Sequence, residues 1–266
     1  MTKILGIAGM GWLGLPLAQR LQYEGYQVKG TVTQSQKVNA LKELGLEVYP
    51  MVVTERGVLG AVQSFLKDVS LLVVMIPPGL RRNTGSDYVL KMSYLLEEIG
   101  RAGTPRCIFI SSTSVYGDAQ GEVTEAHPPK PDTEAGRQLL QVEQLFFNSD
   151  FEATIVRFGG LLGGSRQPVR YLAGRKNLSG GDAPVNLIHR EDCIGILLRI
   201  IKQGLFGHIF NAVYPAHPPK KIYYAEKALA MGLEAPSYSP EGLQVYKEVH
   251  SVNVPEILDY PFQKEI

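Results

Sequence analysis

Three glycines near the start of the chain constrain its fold more than any other feature. The apolar run from Ile4 to Ala8 leads into a G-x-G-x-x-G pattern, and apolar residues at helical spacing follow from Leu15 to Leu21. A strand, a glycine turn and a helix in this order can hold the pyrophosphate of a dinucleotide at the helix N-terminus. The alternative is a glycine-rich turn with only a structural role. The residues predicted to line the cofactor site here are Gly9, Met10, Gly11, Trp12, Leu13 and Gly14.

The alternation of apolar runs and helical patterns along the chain indicates an α/β fold. Helical segments, one of them expected at 58–66, separate short apolar runs near 27–33, 46–53, 69–76, 106–110 and 151–157. Runs that are apolar nearly throughout are typical of strands buried on both faces of a parallel sheet. We therefore predict a Rossmann-type, doubly wound parallel sheet with a small C-terminal substrate lobe.

The near balance of charge excludes several kinds of partner. The 266 residues include 27 basic and 26 acidic side chains, so no bulk field attracts nucleic acid or an anionic membrane. Cys107 and Cys193 lie far apart in the sequence, which favours two reduced core thiols and indicates no metal site. The sequence has neither a signal-peptide pattern nor an apolar run of ~18 residues. We expect a soluble cytoplasmic protein, a monomer or a homodimer, that acts on a small molecule.

The end of the second predicted strand bears on the choice between NAD and NADP. A carboxylate there would hydrogen-bond the ribose hydroxyls of NAD and repel the 2'-phosphate of NADP. The sequence has no carboxylate at this point, and the polar residues present are Thr31, Thr33, Gln34, Ser35 and Lys37. They favour NADP over NAD, although no arginine is present to clamp the phosphate. The alternative is a polar loop in which Ser35 opens the next helix as its cap.

Two later strands also end in stretches that a ligand could meet. The apolar run 69–76 stops at Pro77 and Pro78, and the run 106–110 leads into the hydroxyl-rich segment 111–117. The carboxyl ends of strands in an open parallel sheet face the ligand crevice. We therefore expect these stretches to border the cofactor through Ile76, Pro77, Pro78 and Ser111. Arg81 and Arg82, just after the prolines, are expected to be solvated loop charges.

Together, the glycine turn and the segment 111–117 resemble the extended and atypical branches of the short-chain dehydrogenase/reductase superfamily. This group is often labelled NAD-dependent epimerase/dehydratase. Segments 156–161 and 185–192 are similar to later parts of the same superfamily. In detail, segments 9–16, 111–121 and 215–218 resemble the bacterial YeeZ-type proteins of the atypical branch. The resemblance covers nearly the whole chain and implies a nicotinamide cofactor.

The chain departs from that superfamily at the residues that exchange protons. The superfamily has a Tyr-x-x-x-Lys pair on the next helix, in which the lysine lowers the tyrosine pKa. If Glu143 aligns with the glutamate that usually follows the lysine, Ala135 and Leu139 occupy the two positions, and neither can exchange a proton. The resemblance still implies that Ser112 hydrogen-bonds a substrate oxygen. Tyr116 is a candidate substitute acid or base, with packing or substrate contact as the alternative.

Residues beyond the sheet are candidates for holding the substrate. The excursion 165–176 is basic and has no acidic residue, so its arginines could bind a phosphate or a carboxylate. A solvated basic loop is the alternative. His189 and Asp192 open the next helix, where Asp192 is expected to cap the helix or complement its dipole. The predicted substrate contacts are Ser112, Thr113, Tyr116, Arg157, Arg166 and Arg170.

Two functions stay open from the sequence. The first is an NADP-dependent oxidoreductase or epimerase that acts on a small or nucleotide-linked hydroxyl or carbonyl compound. The second is a non-catalytic NADP-binding module with a regulatory or redox-sensing role. The cofactor domain is predicted to span 1–164, with 184–213 returning to it, and the substrate lobe to comprise 165–183 and 214–266.

Overall fold

The computed structural model describes residues 3–79, 85–240 and 245–266, so Arg81 and Arg82 lie outside the described residues. The chain forms two compact units. Unit one comprises 1–112, 134–156 and 200–209, and unit two comprises 113–133, 157–199 and 210–266. The domain boundaries that the sequence suggested stay a prediction.

The largest sheet is mostly parallel. Its strands are β1 (Ile4–Ala8), β2 (Gln27–Val32), β3 (Glu47–Thr54), β4 (Gly57–Gly60), β5 (Val69–Val74), β6 (Arg106–Ser112), β8 (Glu152–Phe158) and β11 (Ile209–Ala212). Six of its eight strands, β1 to β6, lie wholly in unit one. Across the eight-stranded sheet the order is β11-β8-β6-β5-β1-β2-β3-β4. Strand β7 is described below with unit two, as are β9, β10 and β12.

The order of pairing makes this sheet doubly wound. Strand β1 pairs in parallel with both β2 and β5, and the parallel pairs β2–β3 and β5–β6 extend the sheet on either side. The chain therefore builds outward from β1 in one direction, returns to β5 and builds outward in the other. Ligands bind such sheets at the carboxyl ends of the strands where the direction changes. The predicted fold class is confirmed, and this switch point lies between β1 and β5.

Helices flank the sheet because each has one apolar face to bury. They are α1 (Gly14–Tyr23), α2 (Gln36–Glu43), α3 (Val62–Leu66), α4 (Tyr88–Ala102) and α5 (Glu134–Phe147). In α4 the buried residues recur every three or four positions, from Tyr88 to Ile99. Asp87 begins this helix by accepting a hydrogen bond from the Leu90 amide, and Gly103 ends it in the left-handed conformation. The α5 face packs on β6, where Phe146 and Phe109 stack with their ring centroids 4.7 Å apart.

The predicted helix at 58–66 is wrong in its first half. Residues Gly57–Gly60 form β4, antiparallel to β3, and only Val62–Leu66 are helical. Gly57 and Gly60 have φ values of 125° and 105°, which helices exclude. A side chain at Gly60 would also lie 2.2 Å from the Pro50 carbonyl oxygen. The close approach of the β3 and β4 backbones therefore determines the conformation of residues 57–60. No local sequence pattern reveals this approach.

Unit two contains two small parallel sheets and several helices. Strand β7 (Gly121–Val123) pairs with β12 (Lys247–Val249), and β9 (Gly160–Leu162) pairs with β10 (Leu187–His189). The helices are α6 (Arg190–Gln203), which begins in this unit, α7 (Lys220–Ala230) and α8 (Asn253–Glu256). Asn186 holds β12, since its side chain donates to the Lys247 carbonyl at 2.8 Å and accepts from the Val249 amide at 2.7 Å. A long-range β7–β12 pairing thus organises the C-terminal residues.

No helix among the described residues is long and apolar enough to cross a lipid bilayer.

Candidate dinucleotide-binding site

The glycine turn between β1 and α1 depends on two glycines for its shape. Gly9 has a φ of 115°, which side chains rarely tolerate, and a side chain there would lie 3.1 Å from the Met75 carbonyl oxygen. A side chain at Gly14 would lie 2.0 Å from the Gly9 carbonyl oxygen, well inside van der Waals contact. These two positions therefore require glycine for steric reasons within the protein itself.

Gly11 differs from Gly9 and Gly14 because no described residue occupies the space that its side chain would take. Among the described residues, no heavy atom lies within 4 Å of a Cβ built there, and Gly11 is exposed. The protein alone does not explain a glycine here, whereas a ligand lying against the backbone would. Helix α1 also has no acidic residue in its first turn and no side-chain cap at Leu13. Its positive end is thus unneutralised by its own residues, which suits a phosphate group.

Thr31 on β2 anchors the turn, a role that sequence reasoning missed. Its hydroxyl accepts a hydrogen bond from the Gly9 amide at 3.1 Å, and its carbonyl accepts one from the Met10 amide at 2.8 Å. Thr31 is also buried, so its hydroxyl serves the turn. Gly30 beside it leaves room for the Met10 side chain, whose Cγ would lie 2.5 Å from an added Cβ. Met10 and Leu13 have buried side chains, so they could offer a ligand only backbone atoms.

The residues after β2 are exposed, as a ribose-recognition segment requires. Thr33, Gln34 and Ser35 are all exposed. Ser35 occupies the N-cap position of α2, but its side chain makes no capping hydrogen bond. The Ser35 hydroxyl therefore does not cap α2, as it would if this segment were only a polar loop that opens the helix.

The segment after β5 borders the turn at the switch point. The Met75 amide donates to the Ala8 carbonyl at 2.9 Å, which extends the pairing of β1 and β5 beyond the strands. The buried Tyr88 hydroxyl donates to the Ile76 carbonyl at 2.7 Å, and burial raises the pKa of this tyrosine. Pro77 is exposed and Pro78 is half-buried. The Tyr88 side chain of α4 thus holds this segment in place, while Pro77 stays accessible to solvent.

At the end of β6, the Ser111 hydroxyl is used inside the protein. It donates to the Glu143 carboxylate at 2.6 Å, and both residues are buried. Glu143 lies on the same face of α5 as Leu139 and Ala135, each four residues apart. This face is therefore the one turned toward the end of β6. If Glu143 aligns with the glutamate of the superfamily, the tyrosine and lysine positions on that face are Ala135 and Leu139, and neither side chain can donate a proton.

Tyr116 in unit two is buried and fully engaged. Arg157 donates from Nη1 to its hydroxyl at 2.7 Å, and that hydroxyl lies 3.1 Å from both Asn211 Oδ1 and the Thr124 carbonyl oxygen. Burial is the main cause that raises the Tyr116 pKa, against the opposing charge of Arg157. The pKa therefore moves away from the range useful for proton transfer near neutral pH. Thr113, also buried, accepts from the Tyr116 amide through its carbonyl at 3.2 Å.

The remaining candidates divide into buried and exposed side chains. Arg157 is 3% exposed and serves the Tyr116 network. Arg166 and Arg170 are exposed on the excursion after β9, where the Gly163 amide donates to the Arg166 carbonyl at 2.9 Å. Ser112 is half-buried and is the last residue of β6. Their proposed contacts with substrate stay predictions.

The two residues that open α6 have structural partners. Asp192 is fully buried and accepts hydrogen bonds from the Tyr260 hydroxyl and from the amides of Gln263 and Lys264. It therefore anchors the C-terminal segment, a role that its sequence neighbours do not indicate. His189 Nδ1 accepts from the Glu191 amide at 3.2 Å, and burial lowers the His189 pKa. Cys107 and Cys193 are free, buried thiols.

Unit one thus brings one part of the predicted site together. Because β1, β2, β5 and β6 run in parallel, their carboxyl ends lie along one edge of the sheet. That edge carries the glycine turn, the segments 33–35 and 76–78, Ser111 and Ser112. An open backbone position at Gly11, beside an unneutralised helix N-terminus, fits the pyrophosphate of a dinucleotide. Fold and site together define a Rossmann-type dinucleotide-binding protein.

Comparison with known proteins agrees with this class. Residues 9–203 match the family described as NAD(P)H-binding. The chain is also similar to protein YeeZ of Escherichia coli K12, with 38% identity over 243 residues that cover 89% of this chain and 86% of YeeZ. The chain therefore belongs to the NAD(P)H-binding family. A nicotinamide dinucleotide is accordingly its cofactor.

Solved structures share the fold at low sequence identity. UDP-glucuronic acid 4-epimerase from Bacillus cereus in complex with NAD has a TM-score of 0.80 and 17% identity, over 98% of this chain and 92% of that chain. MoeE5 in complex with UDP-glucose and NAD has a TM-score of 0.79 and 17% identity, over 99% and 94%. At this identity the comparison establishes the Rossmann-type architecture alone.

Proposed function

We propose that the protein is an NADP-dependent oxidoreductase or epimerase acting on a small or nucleotide-linked hydroxyl or carbonyl compound. The observation that carries the cofactor part is Gly11, an exposed glycine whose missing side chain is explained by no contact within the protein. When bound, the nicotinamide ring supplies hydride transfer to or from a substrate carbon. In an epimerase, the same carbon would be oxidised and then reduced from its other face.

The preference for NADP is supported by the chemistry of the segment after β2. Thr33, Gln34 and Ser35 are exposed and uncharged, so nothing in them repels a 2'-phosphate. The Ser35 hydroxyl makes no capping bond to α2 and could donate to a phosphate oxygen. An acidic residue in this segment would instead favour the unphosphorylated ribose of NAD.

The cofactor preference can be tested by calorimetric titration with NADPH and NADH. We expect tighter binding of NADPH by the natural protein. Ser35→Asp should weaken NADPH binding by about tenfold or more through charge repulsion, without weakening NADH binding. Asn148→Asp, which adds the same charge at an exposed position after α5, is the matched control. A preference of the natural protein for NADH would refute the NADP assignment.

The protein groups proposed to act on the substrate are few. Ser112 is proposed to hydrogen-bond the substrate oxygen and orient it. The proton would be exchanged with water or with a group of the substrate, because Ala135 and Leu139 cannot exchange one and Tyr116 is engaged by Arg157. Of the two solved structures with a similar fold, MoeE5 was solved with UDP-glucose, and the other is named a UDP-glucuronic acid 4-epimerase. Nucleotide-linked sugars are therefore a reasonable first substrate panel.

A non-catalytic NADP-binding module is the second candidate function. It is favoured by the alanine and leucine at positions 135 and 139 of α5 and by the three oxygen or nitrogen partners around the Tyr116 hydroxyl. Such a module would report the cofactor state to a partner through its own binding equilibrium.

Turnover of NADPH across a panel of carbonyl compounds and nucleotide sugars separates the two candidates. For an enzyme, some member should oxidise NADPH, and Ser112→Ala should lower that rate at least tenfold. Ser93→Ala, which removes a half-buried hydroxyl bonded to the Val89 carbonyl in α4, should leave the rate unchanged. Tight NADPH binding without turnover of any panel member, in either direction, would instead support the binding module.

A further inference from the structure

Three side chains of unit two converge without a part in the dinucleotide site. His217, Glu248 and His250 each offer one ligand atom, and these atoms all lie within 4.8 Å of one another. Among the described residues, this is the group of three or more histidine, cysteine or carboxylate side chains whose ligand atoms lie within that distance. His217 lies between β11 and α7, whereas Glu248 is in β12 and His250 follows it. The cluster therefore joins two segments that are distant in sequence.

His217 is held by one ring nitrogen, and its other ring nitrogen keeps a lone pair. Its Nδ1 lies 2.9 Å from the Val185 carbonyl oxygen. Since a carbonyl can only accept, Nδ1 must carry the hydrogen, which leaves Nε2 unprotonated in the neutral ring. That Nε2 atom is buried and has no hydrogen-bond partner. Metal-binding histidines are oriented by this kind of bond from the second ring nitrogen to a backbone carbonyl.

His250 and Glu248 complete the set from β12. The His250 backbone is fixed at both ends, because its amide donates to the Val123 carbonyl at 2.8 Å and its carbonyl accepts from Asn211 at 3.2 Å. His250 Nε2 is buried, makes no hydrogen bond, and lies 3.3 Å from Glu248 Oε1. Neighbouring ligand atoms in a tetrahedral zinc site, with bonds of about 2.0–2.1 Å, are about 3.3–3.5 Å apart. This pair already has that spacing.

A proton alone does not account for the cluster. A protonated His250 paired with Glu248 would satisfy those two side chains but would leave the buried Nε2 of His217 without a donor. A cation among the three atoms would satisfy all of them at once. Two imidazole nitrogens and one carboxylate oxygen are a ligand set suited to Zn²⁺ and similar divalent transition metals.

We propose that His217, Glu248 and His250 bind a divalent transition-metal ion of the Zn²⁺ type. The three side chains supply three ligands, and water supplies the fourth. The ion fastens the segment between β11 and α7 to β12, and so stabilises unit two. No motif announces this site, because the residues lie 31 and 33 positions apart along the chain rather than at the short spacings of known zinc motifs.

Metal binding by the tag-free full-length protein tests the proposal directly. After removal of metal by a chelator, the natural protein should bind one equivalent of Zn²⁺ in calorimetry and retain it through gel filtration. Co²⁺ added in its place should give the visible absorption of a four-coordinate centre, and X-ray absorption of the zinc form should detect two imidazole ligands. These measurements need no variant, so they decide the question even where a substitution disturbs folding.

Substitutions then assign the ligands. His217→Gln, His250→Gln and Glu248→Gln should each weaken Zn²⁺ binding at least tenfold. His127→Gln, which removes an exposed histidine bonded to the Thr124 amide, should leave the affinity unchanged. Failure of the natural protein to bind a stoichiometric ion overturns the proposal. Equal affinity in His217→Gln and the natural protein also overturns it, because the ion would then lie elsewhere.

Discussion

At the scale of single residues, the three glycines of the turn have different reasons to be glycine. Gly14 is required by the Gly9 carbonyl oxygen, which a side chain would approach to 2.0 Å. Gly9 is required by its own backbone conformation. No described residue comes within 4 Å of a Cβ built at Gly11, and the proposed reason for this glycine is a bound ligand. This difference separates the stability of the turn from its capacity to bind a ligand.

Alanine substitutions at Gly14 and Gly11 should separate these two properties. Gly14→Ala should lower the free energy of unfolding by about 1–3 kcal/mol, because the turn must shift to admit the methyl group. Gly11→Ala should change it by less than about 0.5 kcal/mol, yet weaken NADPH binding at least tenfold by filling the approach to the backbone. Urea unfolding and calorimetric titration measure the two effects. Normal NADPH binding by Gly11→Ala would show that the cofactor does not lie against this residue.

At the scale of elements, a carboxylate in the first turn of α6 holds the C-terminal segment. Asp192 accepts three hydrogen bonds from the C-terminal segment, two on Oδ1 and one on Oδ2. A carboxylate suits this position because both of its oxygens only accept. The neighbouring hydroxyl responds to it, since burial and the Asp192 carboxylate both raise the Tyr260 pKa. One buried side chain thus links α6 to residues 68 to 72 positions later in the chain.

Asp192→Asn should loosen the C-terminal segment. The amide group of asparagine would face a donor, so at least one of the three hydrogen bonds is lost and a buried group is left unpaired. We expect a loss of about 1–3 kcal/mol in the free energy of unfolding, measured in urea. Limited proteolysis should cleave near residues 260–264 sooner than in the natural protein.

Glu191→Gln is the control for this change, because Glu191 lies in the same helical turn with a side chain that is 49% exposed. It should change both the unfolding free energy and the cleavage rate little. Equal proteolysis of the Asp192→Asn variant and the natural protein would mean that the C-terminal segment is held by other contacts.

At the scale of the whole molecule, cofactor binding and folding are linked. The glycine turn, the segment after β2 and the ends of β5 and β6 all belong to unit one. The proposed cofactor surface therefore exists only when the sheet of unit one is formed. Any ligand that binds the folded state alone stabilises it in proportion to the logarithm of its concentration.

We expect NADPH at about 100 times its dissociation constant to stabilise the folded protein by about 2.7 kcal/mol. For a chain of this size, the midpoint of thermal unfolding should rise by roughly 5–10 °C. Removal of NADPH by gel filtration should return the midpoint to its original value. At the same NADPH concentration, a Gly11→Ala variant that binds at least tenfold more weakly should gain at most about 1.4 kcal/mol, roughly half of that stabilisation. An equal increase in that variant would place the stabilising site elsewhere.

Several parts of this description follow from the sequence because they depend on neighbouring residues. The strand, glycine turn and helix at 4–23 are encoded by apolar spacing and by the conformational freedom of glycine. The apolar runs predict the parallel sheet, and the fold confirms them. The absence of a Tyr-x-x-x-Lys pair from α5 can also be read directly, since the sequence has no tyrosine between Tyr116 and Tyr171.

Other parts were decided only by tertiary structure. The residues 57–60 form a strand because β3 lies beside them, not because of their own pattern. The Thr31, Ser111 and Tyr116 hydroxyls suit a ligand when considered alone, but Gly9, Glu143 and Arg157 engage them in the fold. A hydroxyl in a sequence shows that a hydrogen bond can form, but not with which partner.

The contrast between the glycine turn and the His217, Glu248 and His250 cluster shows the physical reason. The turn is local, so steric rules acting over a few residues determine it from the sequence. The cluster depends on the register of β12 against β7 and on the Val185 carbonyl that orients His217. Pairing between distant segments is set by the packing of the whole unit, so the sequence by itself determined the dinucleotide turn, and only the tertiary structure brought the three metal-ligating side chains together.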